Sequence, residues 1–210
     1  MAPPRNTAAA HAPAKTALLL LDYHNHIVDM INPPETKTKV VNAASSLLKA
    51  ARESSATIVH CVIDMDAQPV ETSKIRERWE STYKPMIAST PEKLAITADL
   101  APATSGSEKE FTVGKVPGCV SAMKRPGFLN TLREKHGVES LVICGLISSG
   151  AVVSTAREAA DLGFVTTVVE DGCWDYDAAC HEVIMRNVLQ MTAYTTDLKG
   201  GLELLGGARN

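Results

Sequence analysis

Four short apolar runs stand out along the chain, and each ends on an acid or a glycine. Ala17-Leu-Leu-Leu-Leu21 runs into Asp22, and Thr57-Ile-Val-His-Cys-Val-Ile63 runs into Asp64. Leu141-Val-Ile-Cys144 ends in Gly145, and Val165-Thr-Thr-Val-Val169 ends in Glu170-Asp171-Gly172. Runs this continuously apolar lack the alternation of a strand with one wet face, so they predict parallel strands covered on both sides. Phe111-Thr-Val113 predicts a further strand ending near Lys115, and Tyr194-Thr-Thr196 a sixth at an edge.

Helical periodicity fills the intervals. Pro34-Glu35 opens a helix running to about Ser54, with Val40, Ala44, Leu47, Leu48 and Ala51 on one face. Others are predicted over Phe128 to Lys135, from near Gly150 to Gly163 with Val152, Ala156, Ala159 and Leu162 inward, and over Ala178 to Met191. Val70 to Ser105 is the least regular part; it predicts a short helix around Ser73 to Ser81, then a loop-rich lid or subunit contact. Strand–helix alternation with short links implies right-handed crossovers. The expected fold is α/β: a doubly wound, Rossmann-like, mostly parallel six-stranded sheet with helices on both faces. Residues 1–14, rich in Ala and Pro, are expected to be a flexible tail, and residues 15–210 a single domain.

Composition narrows the picture mainly by what it removes. At 210 residues the chain is long enough for one well-filled core without disulfides or metals as staples. A net charge of −3 with no basic run gives no reason to expect nucleic acid or an anionic membrane as partner. No apolar stretch approaches the roughly 18 residues of a membrane span. Cys61, Cys119, Cys144, Cys173 and Cys180 are odd in number and contain no C-x-x-C pair, so neither a disulfide framework nor a zinc ribbon is indicated. A reducing cytoplasm is the simplest setting.

In an open α/β sheet, ligands sit beyond the carboxyl ends of the strands. Asp22, Lys115 and the turn Gly145-Leu-Ile-Ser-Ser-Gly-Ala151 all fall at such ends. The turn leads from a strand into a helix N-terminus, where backbone N–H groups point at a ligand and a nucleophile is activated. One acid and one lysine alone would be weak evidence; their convergence with this turn predicts a site. Cys144 and Cys61 lie within apolar strands and read as inert core residues. Cys119, in a Pro-Gly loop near Lys115, is a candidate for a displaced nucleophile. His181-Glu182 has no second histidine four residues on, so it is not a zincin motif.

Ala17 to Val28 (ALLLLDYHNHIV) and Gly145 to Cys173 (GLISSGAVVSTAREAADLGFVTTVVEDGC) together resemble the isochorismatase-like cysteine hydrolases, a family that includes nicotinamidase-like and N-carbamoylsarcosine amidase-like members. The resemblance covers roughly Lys15 to Thr196. It implies amide hydrolysis through an acyl-enzyme. Asp22 would take a proton from the nucleophile and return it to the leaving amine. Lys115 would hold the acid and favour a thiolate. The N–H groups of Ile147 and residue 151 would form the oxyanion hole, beside a cis Leu146–Ile147 bond. Tyr23 would line the pocket, and Trp79 is a candidate substrate wall or subunit contact. Relatives are commonly dimers or tetramers, which implies a homo-oligomer acting on a small molecule.

Three departures matter. Ala151 stands where the resemblance places the nucleophilic cysteine. About two residues are inserted after Lys115, which makes Lys124 a competitor for its role. His26 stands where many members carry a second acid, and Asp22–His24 begins a metal pattern that no later histidine completes; neither metal nor cofactor is expected. The leading expectation is therefore a C–N hydrolase with Cys replaced by Ala at 151, inactive as written. The alternatives are vinyl-ether hydrolysis of the isochorismatase type, which needs no cysteine, and a non-catalytic ligand-binding homologue.

Overall fold

Each apolar run becomes a strand, and β4 and β5 extend beyond the apolar stretch that marks them. The computed structural model describes residues 3–104 and 107–206. Met1 and Ala2 of the expected tail, Ser105 at the end of the irregular segment and residues 207–210 of the domain lie outside the described residues. The strands are β1 (Thr16–Leu21), β2 (Thr57–Ile63), β3 (Glu110–Lys115), β4 (Ser140–Leu146), β5 (Val165–Trp174) and β6 (Tyr194–Thr196). All five pairings are parallel, in the order β3-β2-β1-β4-β5-β6. Every residue of β1 and β4 is buried, as continuous apolar strands in the middle of a covered sheet must be.

The helices are α1 (Pro34–Glu53), α2 (residues 76–89), α3 (residues 128–135), α4 (residues 148–161), α5 (residues 178–191) and α6 (Leu198–Leu204). All five residues assigned to the inner face of α1 are buried, joined there by Val41 and Ala43. The α1 helix packs against β1, β2, β5 and α6. Val152, Ala156 and Ala159 of α4 are buried as its periodicity predicts. Crossovers run outward from β1 in one direction and from β4 in the other, and the right-handed connection that parallel strands adopt then puts the two helix sets on opposite faces.

The segment between β2 and β3 departs most from expectation. Its helix runs from Arg76 to Ser89 rather than stopping near Ser81, followed by a single turn at Pro91–Leu94. Trp79 and Ile87 face inward. Pro85 does not break the run, because the chain widens into a π-type turn over Trp79–Tyr83 just before it, with the Lys84 N–H reaching the Trp79 carbonyl. At the amino end, Tyr194 Oη donates to the Asn6 carbonyl at 2.9 Å and Arg5 pairs with Glu139 at 3.2 Å. Among the described residues no helix is long and apolar enough to cross a membrane.

The sheet order reverses between β1 and β4, and such a switch point opens a crevice at the carboxyl ends of the two strands. The strands approach closely there. Leu21 pairs with Gly145, and a Cβ on Gly145 would sit 2.6 Å from the Leu21 carbonyl oxygen. Only glycine fits.

Candidate active site

The β1 strand delivers Asp22 to the crevice in a left-handed conformation, φ 56°. That is uncommon outside glycine, and Asp is one of the residues that tolerates it. Its N–H still reaches the Cys61 carbonyl of β2 at 2.9 Å, so the carboxylate is anchored to the sheet through its own backbone. Lys115 ends β3, two strands away. Its Nζ donates to Asp22 Oδ2, and both side chains are more than nine-tenths buried. Asp22 Oδ1 is also buried and accepts no hydrogen bond from the described residues. One oxygen of the acid is thus clamped and the other is uncommitted.

The third element is the turn between β4 and α4. The Leu146–Ile147 peptide is cis. The Ile147 carbonyl accepts the N–H groups of Gly150 at 3.1 Å and Val152 at 3.3 Å, which closes the chain into the start of the helix. The β5–α5 connection pins the turn from behind. Asp175 Oδ2 accepts the Ser149 N–H at 2.7 Å, and Ser148 Oγ lies 2.7 Å from His181 Nδ1. Asp22, Lys115, Ile147, Gly150 and Ala151 all border one cavity of about 430 Å³. Trp79, Ile75, Ile87 and Tyr83 form its far wall, and the 116–120 loop closes one side. A second surface depression, around Arg5, Lys15 and Glu139, lies at the amino-terminal edges of the strands, away from these groups.

Of the residues singled out in the sequence, Asp22, Lys115, Ala151, Ile147 and Trp79 converge on this cavity. Tyr23 does not. The left-handed turn at Asp22 swings the next side chain back into the core, where Tyr23 is buried and its hydroxyl donates to the Gly172 carbonyl. Burial also raises its phenol well above the usual value. Lys124 is excluded as a rival to Lys115, since it lies outward and pairs with Glu158 at 2.7 Å. Burial pushes the Cys61 and Cys144 thiols up to about 12, consistent with inert core residues. Cys119 borders the cavity through the 116–120 loop. The histidine His26, together with Ile63, Met86 and Tyr176, also lines the space. The lining contributions of Met86 and Tyr176 carry no sequence signal, because exposed apolar residues are common on any surface.

The residues around Asp22 do not suit a metal ion. His24 Nδ1 donates to the Leu94 carbonyl and Nε2 accepts the Ile63 N–H at 3.2 Å, so the ring has no lone pair left to ligate. Burial lowers its pKa, outweighing the opposing pull of Asp22, and holds it neutral. Asp22 Oδ2 is taken by Lys115. Among the described residues no group of three or more His, Cys, Asp or Glu side chains is gathered as a metal site.

A buried acid–lysine pair thus faces a helix-opening turn across a switch-point cavity. The chain belongs to the isochorismatase family: an isochorismatase domain matches residues 16–200. It is 27% identical over 177 residues to the isochorismatase family protein YecD of Escherichia coli, covering 79% of this chain and 83% of that one. Its fold is similar to that of a cysteine hydrolase from Pseudomonas syringae, with a TM-score of 0.74 at 15% identity over 93% of this chain and 94% of the other. It is also similar to N-carbamoylsarcosine amidase from Thermoplasma acidophilum, with a TM-score of 0.65 at 17% identity over 88% and 96%.

Proposed function

We propose that this cavity is the acyl-transfer site of a C–N hydrolase in which Ala151 occupies the nucleophile's position. The chain as written then binds a small amide without turning it over. The observation that carries this reading is the Asp22–Lys115 pair buried on the cavity that Ala151 borders at the entry to α4. The names of two structural neighbours, a cysteine hydrolase and an amidase, support the amide chemistry.

With cysteine at 151 the chemistry proceeds in two halves. Asp22 takes the thiol proton, and the sulfur attacks the amide carbonyl carbon. The N–H groups of Ile147 and residue 151 receive the developing oxyanion. Asp22 then returns the proton to the departing nitrogen as the C–N bond breaks, leaving a thioester and a free amine or ammonia. Water attacks the thioester, gives its proton to Asp22 and releases the acid; the proton passes back to sulfur. Lys115 orients Asp22 by donating to Oδ2 and adds positive potential where thiolate forms. The experiment is intact mass spectrometry of the Ala151→Cys protein after brief exposure to small amides. A mass increase equal to the acyl group supports the reading; no adduct from a broad amide panel, with the cavity shown to bind those amides, contradicts it.

Ala151 itself favours a second reading. Vinyl-ether hydrolysis needs a proton donor and no nucleophilic side chain, and Asp22 can supply the proton. Turnover of isochorismate by the chain as written, abolished in Asp22→Asn, would establish that reading instead.

A further inference from the structure

The cavity carries almost no net charge. Among the described residues, Asp22 and Lys115 are the only fully charged side chains on its wall, and they neutralise each other. No arginine or second lysine among the described residues borders it. Burial lowers the pKa of His26 and favours the neutral ring, against the opposing pull of the Lys93 carbonyl, an atom that only accepts and that Nδ1 faces at 3.3 Å. Nδ1 therefore carries the proton and Nε2 is an acceptor. The mouth is apolar as well. Met30, Met86, Val120 and Tyr176 are four of the eight large apolar side chains that stand exposed among the described residues, and all four border this one cavity. Tyr176 Oη contacts Met30 Sδ at 3.2 Å, so the rim is continuous there. Scattered apolar surface residues need no explanation, but their collection at a concave site does.

Resting on the hydrolase reading of this cavity, we infer that its substrate is a neutral amide bearing an alkyl or aryl substituent, and that anionic amides are excluded. A carboxylate entering the cavity loses its water and meets no unpaired cation, which is unfavourable wherever the charge comes to rest. An apolar substituent instead displaces water from Ile75, Trp79, Met86 and Tyr176. Burial of that kind is worth about fourfold in affinity per methylene. The same absence of a cation counts against a dicarboxylate such as isochorismate.

The test uses the chain as written in calorimetric titrations against butyramide, hexanamide, phenylacetamide and succinamate, the last matched in length but anionic. The expected result is tightening by about fourfold per methylene from butyramide to hexanamide, with succinamate at least tenfold weaker than butyramide. A second protein, Met86→Lys, places a cation at the rim and is expected to narrow the gap between succinamate and butyramide by severalfold. Succinamate binding as well as or better than hexanamide, or no binding by any of the four, overturns the inference. The Ala151→Cys protein separates this outcome from failure of the hydrolase reading. Turnover confined to anionic amides leaves a hydrolase but removes the neutral-substrate inference. Apolar-ordered binding without turnover leaves the cavity's preference for neutral, apolar ligands and removes the hydrolase.

Discussion

Ser148 Oγ lies 2.7 Å from His181 Nδ1, so the first residue after Ile147 is tied to a helix 33 positions further along the chain. The hydroxyl has one proton, and its other neighbour, the Trp174 carbonyl, is at 3.3 Å. Burial lowers the His181 pKa and favours the neutral ring, with Glu170 and Asp175 opposing. Ser148 Oγ donates to the Trp174 carbonyl and pairs with His181 at Nδ1, while His181 Nε2 lies 3.8 Å from Glu170. This contact, with Asp175 on the Ser149 N–H, fixes the turn that carries the proposed oxyanion donors. In an Ala151→Cys background, His181→Ala is expected to lower kcat by about tenfold or more while KM changes little, because positioning acts in the transition state. Equal kcat in the two proteins, or a change confined to KM, contradicts that role.

The Asp22–Lys115 pair makes an asymmetric stability prediction. Lys115→Met leaves a buried carboxylate without its partner and is expected to cost about 3–5 kcal/mol in urea unfolding. Asp22→Asn with Lys115→Met removes both charges and recovers most of that loss. Asparagine tolerates the left-handed backbone that Asp22 adopts, so Asp22→Asn tests chemistry without forcing the turn to rebuild. A double variant no more stable than Lys115→Met contradicts the pairing.

Acid lability follows from two sets of groups. His24, His60 and His181 have folded pKa values lowered from 6.5, mainly by burial. Below 6.5 the unfolded chain binds protons that the folded chain refuses, so stability falls as pH drops from that value toward the folded pKa values. Glu110 acts lower. Burial alone would raise it, but hydrogen bonds from Arg52, His60 and the Ala103 N–H bring it to about 2 from 4.5. Its contribution is present above 4.5 and is lost between there and about 2. Thermal unfolding is expected to show Tm falling between pH 7.5 and 5.5, then falling again below 4.5. A flat Tm from pH 7.5 to 5.5 contradicts the neutral, buried assignment of the histidines.

Thiol labelling separates the cysteines by environment. Cys61, Cys144 and Cys173 are buried, while Cys119 and Cys180 are partly exposed. Under native conditions a thiol reagent is expected to modify Cys119 and Cys180 quickly and the other three only on unfolding. A bound amide should slow Cys119 alone, since only that thiol borders the cavity. Rapid modification of all five thiols in the native state contradicts the packing described.

Gly145→Ala probes the switch point itself. The new methyl would stand 2.6 Å from the Leu21 carbonyl oxygen, and both strands are paired and fully buried there. A loss of about 1–3 kcal/mol or more is expected. Stability equal to the parent chain would mean that β1 and β4 can separate without cost.

Much of this was legible in the sequence, for physical reasons. Continuous apolar runs such as 17–21 and 141–144 have one structural solution, a buried parallel strand, and their acid and glycine endings marked where the crevice opens. Asp22, Lys115 and the 145–151 turn each sit at a strand end, so local pattern alone brought them together. Tyr23 was misplaced because sequence periodicity carries no sign of the left-handed residue before it. Residues 76–89 run past their expected end because a π-type turn over Trp79–Tyr83 accommodates Pro85, and no local spacing marks such a turn. His181 and Asp175 escaped notice since their partners, Ser148 and Ser149, lie more than 25 positions away and no local spacing records the contact.

The measurement that bears most directly on the central claim is ammonia release by the Ala151→Cys protein from neutral primary amides, beside the chain as written and Ala151→Cys with Asp22→Asn. The account expects turnover by the first protein, none by the chain as written, and a loss of at least about 10²-fold when Asp22 is neutralised. Equal ammonia release with alanine or cysteine at 151, or full activity without the Asp22 carboxylate, would contradict it.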